Sequence, residues 1–206
     1  MKKRFLKTIR DAIEKQYPNY TNDKLDEIMY GVEGIYLTFT KTIIIFALAF
    51  ILGIAKELLF LLLAFNFIRL FAFGMHADNS LTCLVFSSAL FLTGAFASKY
   101  INLDLNIICI LYIVILIIIA IFAPADTVKR PLIKKNKRIR FKVLSIVTII
   151  LYFIITIYTK NQYITNYLIF GLIIECILIL PTTYKIFKMP YKNYKTYGLN
   201  TNKYSD

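Results

Sequence analysis

Residues 105–123 read LNIICILYIVILIIIAIFA and contain no charged side chain. A helix needs about 20 mainly apolar residues to cross the hydrocarbon core of a bilayer. The rest of the chain has the same character, since 58% of its 206 residues are hydrophobic, compared with about 45–50% in soluble domains. This segment therefore predicts an all-α integral membrane protein.

Five further apolar segments accompany this one, and most reach the length of a membrane span. The first two are separated only by Lys56 and Glu57, so they form either a tight hairpin or a span and a re-entrant segment. We predict a polytopic helical bundle of about six transmembrane segments, with four or five as open alternatives. The six segments are residues 35–55, 58–75, 81–98, 105–123, 143–159 and 164–181.

The sequence divides into three regions. Residues 1–34 form a cytoplasmic amphipathic region, in which Phe5 and Ile9 lie opposite Lys7 and a first surface helix ends at Pro18. A second surface helix is predicted before the first span; packing on the protein's own cytosolic face explains both helices equally well. Residues 35–181 form the transmembrane domain that holds the candidate site, and residues 182–206 form a basic cytoplasmic tail.

The distribution of positive charge predicts the orientation. The chain has 25 Lys and Arg against 12 Asp and Glu, a net charge of +13. With six spans, 21 of these cations fall on one side, only Lys56, Lys99 and Lys160 fall on the other, and Arg69 lies inside the second segment. Because cytoplasmic loops are enriched in Lys and Arg, both termini and the turn after the second segment should be cytoplasmic at the cell membrane.

Several classes of function are excluded by composition. The apolar content excludes a soluble nucleic-acid-binding protein, and the Tyr- and Lys-rich tail is better explained as a solvated segment near the membrane, so no nucleic-acid partner is expected. His76 is the one histidine and no phosphate-binding glycine motif occurs, so we expect no metal site, no cofactor and no ATPase activity. The three cysteines do not form a disulfide framework.

Residues 69–83, RLFAFGMHADNSLTC, hold the candidate chemistry. On one helix the seven-residue spacing from His76 to Cys83 corresponds to about 10 Å, too far for proton transfer. Gly74 can break the helix and Ser80 can cap the next one, which places Cys83 in a first turn where the helix dipole favours a thiolate. The plain alternative, a small buried cysteine and an interfacial histidine, fits these positions about as well.

Residues 123–132, APADTVKRPL, open a second candidate site. Eight cations lie between residues 129 and 142. They form either a cluster that only sets topology or a dock for an acidic peptide or lipid head groups. The candidate substrate-binding residues are Asp126, Lys129, Arg130, Lys134, Lys135 and Lys137.

The combination of Arg69, the Gly-Met-His-Ala stretch, Cys83 and the Pro-Ala-Asp-Thr…Arg-Pro motif resembles the accessory gene regulator B (AgrB) family. The resemblance implies a membrane-embedded cysteine endopeptidase of bacterial quorum sensing with His76 and Cys83 as the catalytic pair. Where the family often has two adjacent glycines before the histidine, this chain has Phe73 and Gly74.

The resemblance also implies the substrate and the partners. The substrate would be an AgrD-like propeptide with an amphipathic leader and an acidic tail, and the other partners would be membrane lipids and a second copy in a homodimer. Cleavage at the C-terminal side and a thioester on Cys83 would yield a cyclic thiolactone or lactone. The backbone N–H of Cys83, and secondarily Arg69, are candidates for the oxyanion donor.

Two alternatives come from other classes. A small transporter would use paired intramembrane charges such as Arg69 and Glu175. A non-enzymatic membrane scaffold would tolerate the loss of Cys83.

Overall fold

The computed structural model describes residues 2–75, 80–127 and 132–194. The described residues form eight α-helices, and no strand longer than an isolated bridge occurs among them. The helices are α1 (Lys2–Gln16), α2 (Asn22–Ile51), α3 (Ala55–Ala72), α4 (Ser80–Tyr100), α5 (Leu105–Phe122), α6 (Lys135–Thr159), α7 (Gln162–Ile179) and α8 (Pro181–Ile186).

The first compact unit, Met1–Leu48, contains α1 and most of α2. Helix α1 ends two residues before Pro18, as predicted from the inability of proline to continue a helix. Arg10 bridges the two helices: its Nη1 lies 2.8 Å from Asp26 Oδ1, while its Nε lies 2.9 Å from Glu14 Oε1. These ion pairs are exposed, so each contributes little to stability.

The predicted second surface helix is not a separate element. Helix α2 runs without interruption from Asn22 through Gly31 and Gly34 to Ile51. A helical glycine costs only about 1 kcal/mol relative to alanine, and no proline lies between residues 22 and 51 to stop the helix. The amphipathic stretch is therefore the N-terminal part of the helix that continues into the first apolar segment.

The second unit, from Ala49 on, is a bundle of the five helices α3 to α7 with the short α8 attached. A turn at Gly53, with φ of 66°, precedes the first of these helices, α3. Helix α3 begins at Ala55, so Lys56 and Glu57 belong to its first turn and do not form the connection between two spans as the sequence suggested.

Helices α3 and α7 form the centre of this bundle. A Cβ at Gly171 on α7 would lie 3.1 Å from the backbone N of Phe65 on α3, so the glycine permits a close approach of the two helices. A Cβ at Gly94 on α4 would lie 2.9 Å from Ile174 Cδ1. Small residues at helix contacts are typical of membrane bundles, where association depends on close packing.

Hydrogen bonds show which helix ends lie together. Asn166 Nδ2, near the start of α7, donates to the carbonyls of Ser98 (2.9 Å) and Ile101 (2.7 Å) at the end of α4. Lys142 Nζ, near the start of α6, donates to the Ala120 carbonyl near the end of α5 at 2.7 Å. We call the end with residues 73–75, 80–83, 123–127, 132–135 and 180–194 the Cys83 end, and the end with residues 52–56, 99–104 and 159–163 the Lys99 end.

Five of the described helices are long and apolar enough to cross a membrane, which confirms an all-α polytopic membrane protein. They are α2, α4, α5, α6 and α7. The second predicted segment, α3, is not among them because its 18 residues carry three charges, Lys56, Glu57 and Arg69. Helix α6 begins at Lys135, eight residues before the predicted 143, so the C-terminal half of the expected basic loop is helical.

Candidate active site

The turn after α3 is held by residues that are distant in sequence. Gly74 N donates to the carbonyl of Ala125 at 2.8 Å, and Ala125 N donates in return to the carbonyl of Ala72 at 2.9 Å. Met75 N donates to the carbonyl of Leu178, at the end of α7, at 3.0 Å. The backbone of residues 73–75 is thereby tied both to the segment after α5 and to α7.

Arg69, one turn before the end of α3, closes this turn from inside. Its Nη2 donates to the carbonyls of Gly74 (3.0 Å) and Met75 (2.7 Å), and its Nη1 lies 3.2 Å from Glu175 Oε2 on α7. Both hydrogens of Nη2 are therefore occupied by the backbone of the turn. This geometry favours a structural role for Arg69, which holds the turn. It is less consistent with the role of oxyanion donor that was considered from the sequence.

The two residues at the turn itself have backbone conformations that favour glycine. Gly74 has φ of 117°, and a Cβ there would overlap Nη1 of Arg69. Phe73 has φ of 62° and ψ of −132°, a region that side chains rarely adopt and that costs about 1–3 kcal/mol. The ring of Phe73 packs edge to face on Phe141 of α6, with centroids 5.0 Å apart. From the resemblance noted in the sequence, a glycine would be usual at position 73. Phe73 stands there instead, with a backbone conformation typical of glycine.

Cys83 lies at the beginning of α4, at the same end of the bundle. The helix starts at Ser80, so Cys83 is in its first turn as predicted, although Ser80 is the first helical residue and was expected to be the cap. Cys83 is buried with 9% of its surface exposed, and its Sγ lies 3.9 Å from Ser87 Oγ. His76, Lys129 and Arg130 lie outside the described residues, so the distance from Cys83 to His76 stays a prediction.

Asp126 has a different environment from the exposed dock that the sequence suggested. Its side chain is buried, and its carboxylate accepts hydrogen bonds from three backbone N–H groups: those of Leu132 (3.4 Å), Asn193 (3.1 Å) and Tyr194 (2.8 Å). Asn193 Nδ2 also donates to the carbonyl of Asp126 at 3.4 Å. Asp126 therefore fastens the C-terminal segment to the loop after α5.

Tyr184 of α8 reinforces the same attachment. Its hydroxyl donates to the carbonyls of Ala125 (3.3 Å) and Asp126 (3.1 Å). Burial raises the pKa of Tyr184, so the hydroxyl keeps its proton and stays a donor. Tyr184 and Asn193 were not anticipated from the sequence, because the tail gave no periodic apolar pattern that would indicate a packed segment.

The cations at the start of α6 are mostly exposed. Lys134, Lys135 and Lys137 are solvent-accessible, whereas Arg138 lies over the ring of Tyr194 at 3.3 Å. Positive side chains at a helix N-terminus are disfavoured by the helix dipole. Their accumulation here therefore does not stabilise α6.

Known proteins resemble this chain along most of its length. The family model for accessory gene regulator B matches residues 6–179. An AgrB-like protein of Clostridium acetobutylicum is 33% identical over 171 residues, which cover 83% of this chain and 82% of that protein. The accessory gene regulator protein B of Staphylococcus saprophyticus is 31% identical over 183 residues, covering 86% and 95% of the two chains.

The chain belongs to the accessory gene regulator B family. The resemblance noted in the sequence is thereby confirmed, and membership in the AgrB family implies a role in agr quorum sensing with a propeptide substrate. No solved structure matches the chain. The matched residues 6–179 include the turn, Cys83 and the loop after α5, but end before α8 and the segment fastened by Asp126.

Proposed function

We propose that this chain is a membrane cysteine endopeptidase that processes an AgrD-like propeptide. The observation that carries the proposal is the position of Cys83, buried in the first turn of α4 at the end of the bundle where Arg69 fixes the turn that leads to His76. A helix N-terminus favours a thiolate, and an ordered turn is what a neighbouring base requires.

The reaction consists of two acyl transfers. His76 takes the proton of the Cys83 thiol, and the thiolate attacks a peptide carbonyl on the C-terminal side of the core peptide. The C–N bond then breaks as the released amine takes this proton from His76. The N-terminal product remains as a thioester on Cys83. A cysteine or serine side chain of the same peptide then attacks this thioester, forms a thiolactone or lactone ring and returns the thiol of Cys83. Exclusion of water by the buried site limits hydrolysis of the thioester.

Replacement of single cysteines tests this function. Cys83→Ala and His76→Ala should each abolish cleavage of purified propeptide by protein that still accumulates in the membrane. Cys109→Ala and Cys176→Ala should cleave normally; Cys109 on α5 is the cleaner control, because Cys176 is adjacent to Glu175. Cleavage by the Cys83→Ala protein would refute the proposal.

The Cys83 end is proposed to face the cytoplasm, with the basic start of α6 binding the acidic tail of the propeptide. This end carries Lys134, Lys135 and Lys137, whereas Lys56 and Lys99 lie at the other end. An impermeant maleimide should label single cysteines placed at Lys99 or Lys160 in intact cells, and not one placed at Lys137. Labelling at Lys137 from outside would reverse the orientation.

The alternative of a transporter shares one observation with this proposal, since Arg69 and Glu175 do form an ion pair. In the bundle, however, Arg69 also binds two carbonyls of the turn, which is a fixed structural task. A transporter or a scaffold would keep its function in the Cys83→Ala variant, so the same experiment separates the endopeptidase from both alternatives.

A further inference from the structure

Glu175 is the one acidic residue of α7, and its side chain is completely buried in the described structure. Its Oε2 pairs with Arg69 Nη1 at 3.2 Å, whereas Oε1 has no hydrogen-bond partner among the residues that the structure describes. A buried carboxylate with an unsatisfied oxygen is costly, and its pairing with one cation does not fully offset the loss of hydration. Stability alone does not account for this residue, because an apolar side chain would pack in α7 at lower cost.

The consequence of the carboxylate lies in what it does to Arg69. The guanidinium group is planar and its donors point in fixed directions. With Nη1 anchored to Glu175, the two hydrogens of Nη2 point to the carbonyls of Gly74 and Met75. Arg69 also lies so close to Gly74 that a Cβ at this position would overlap the guanidinium.

We propose that Glu175 is a positioning residue of the active site. It fixes the guanidinium of Arg69, which fixes residues 74 and 75, the two residues that precede His76 in the chain. The same helix contributes the Leu178 carbonyl that binds Met75 N, so α7 holds the turn through both its backbone and its carboxylate. The inference rests on the proposed function, in which His76 is the base for Cys83.

The test is a double-mutant cycle on propeptide cleavage by purified full-length protein. Glu175→Gln keeps the size of the side chain and removes its charge; Arg69→Lys keeps the charge and removes the planar fork. Glu175→Gln should lower kcat at least tenfold and leave KM within about twofold, because Glu175 is completely buried in the described structure. In the Arg69→Lys background the same substitution should lower kcat by less than twofold further, since Glu175 acts through Arg69.

The matched control is Glu57→Gln, which removes a carboxylate from the first turn of α3 at the Lys99 end and should leave kcat and KM unchanged. Unchanged kcat in Glu175→Gln, or losses that multiply in the double variant, would overturn the positioning role while cleavage by the parent protein upheld the proposed function. Failure of the proposed function would be recognised separately, because the Cys83→Ala protein would then still cleave the propeptide.

Glu175→Asp covers the case in which Glu175→Gln does not accumulate as folded protein. The aspartate keeps the charge but is one methylene too short to hold Nη1 in place. Its kcat should fall several-fold at unchanged KM, and a kcat equal to that of the parent protein would refute the inference.

Discussion

The two ends of the bundle are built in different ways. At the Lys99 end, helices begin with ordinary local caps: Asp104 accepts from Asn106 N at 3.3 Å, and Asn161 accepts from Tyr163 N at 3.0 Å. At the Cys83 end, the turn after α3 depends on Arg69 and on carbonyls contributed by distant segments. Local rules therefore account for the starts of α5 and α7, whereas the turn after α3 needs the assembled bundle.

A large cavity lies at the Lys99 end, away from the candidate active site. A cavity of about 800 Å³ opens at the Lys99 end, between α3, α6 and α7, and is lined largely by apolar and aromatic side chains such as Phe60, Tyr152 and Tyr167. The strained backbone, the buried ion pair and the thiol of Cys83 all lie at the other end. The proposed site therefore rests on the chemical character of its residues and not on the volume of a cavity.

The largest difference between the ends should appear when an alanine replaces a glycine at each. Gly74→Ala adds a Cβ that overlaps Arg69 at φ of 117°, and should lower kcat by about 100-fold or more because the turn must move. Gly53→Ala has φ of 66° but nothing within 4 Å, so it should cost about 1 kcal/mol of stability and leave kcat unchanged. Propeptide cleavage and melting temperature measure the two effects, and equal activities would remove the distinction.

A second pair compares two aspartates that both accept backbone hydrogen bonds. Asp126→Asn turns an amide NH₂ toward N–H donors and should destabilise the attachment of Asn193 and Tyr194 by about 2–3 kcal/mol. Asp104→Asn should change stability by less than about 0.5 kcal/mol, because asparagine caps helices as well as aspartate does. Limited trypsin digestion at Lys192 should become at least about tenfold faster only in Asp126→Asn; equal rates would mean that Asp126 does not hold the segment.

A third pair compares exposed lysines. Each exposed ion pair contributes at most ~1 kcal/mol, so a measurable effect needs several replacements together. Replacement of Lys134, Lys135 and Lys137 by glutamine should raise KM for the propeptide about tenfold with a smaller change in kcat. Added salt should weaken the parent protein in the same direction. The double variant of Lys56 and Lys99 should leave KM unchanged; an unchanged KM in both variants would reduce the basic start of α6 to a topological signal.

The sequence was sufficient for the membrane class, for a helix at each of the six apolar segments and for the first-turn position of Cys83, because these depend on composition and on local helix signals. Five of those described helices, and not the expected six, are long and apolar enough to cross a membrane. It failed where contacts are distant. Nothing local shows that Asp126 binds Asn193, or that Glu175 reaches Arg69 across 106 positions. The continuous α2 and the early start of α6 were missed because charged residues were interpreted as loop, whereas a helix can extend beyond the membrane.

The smallest expected effect isolates the backbone strain at Phe73. Phe73→Ala and Phe73→Gly both remove the ring contact with Phe141, so the difference between them reports the backbone alone. In an ordinary helix glycine is about 1 kcal/mol worse than alanine. At φ of 62° and ψ of −132° the order should reverse, with Phe73→Gly more stable than Phe73→Ala by about 1–2 kcal/mol.

Lys160 provides the comparison at the other end, since its φ of 48° and ψ of 19° lie in the common left-handed region. Its Gly and Ala variants should differ in the same direction by no more than about 1 kcal/mol. Thermal unfolding of the four variants measures both differences. An alanine variant at 73 as stable as the glycine variant would show that this turn carries no strain, and that Arg69 holds a relaxed backbone.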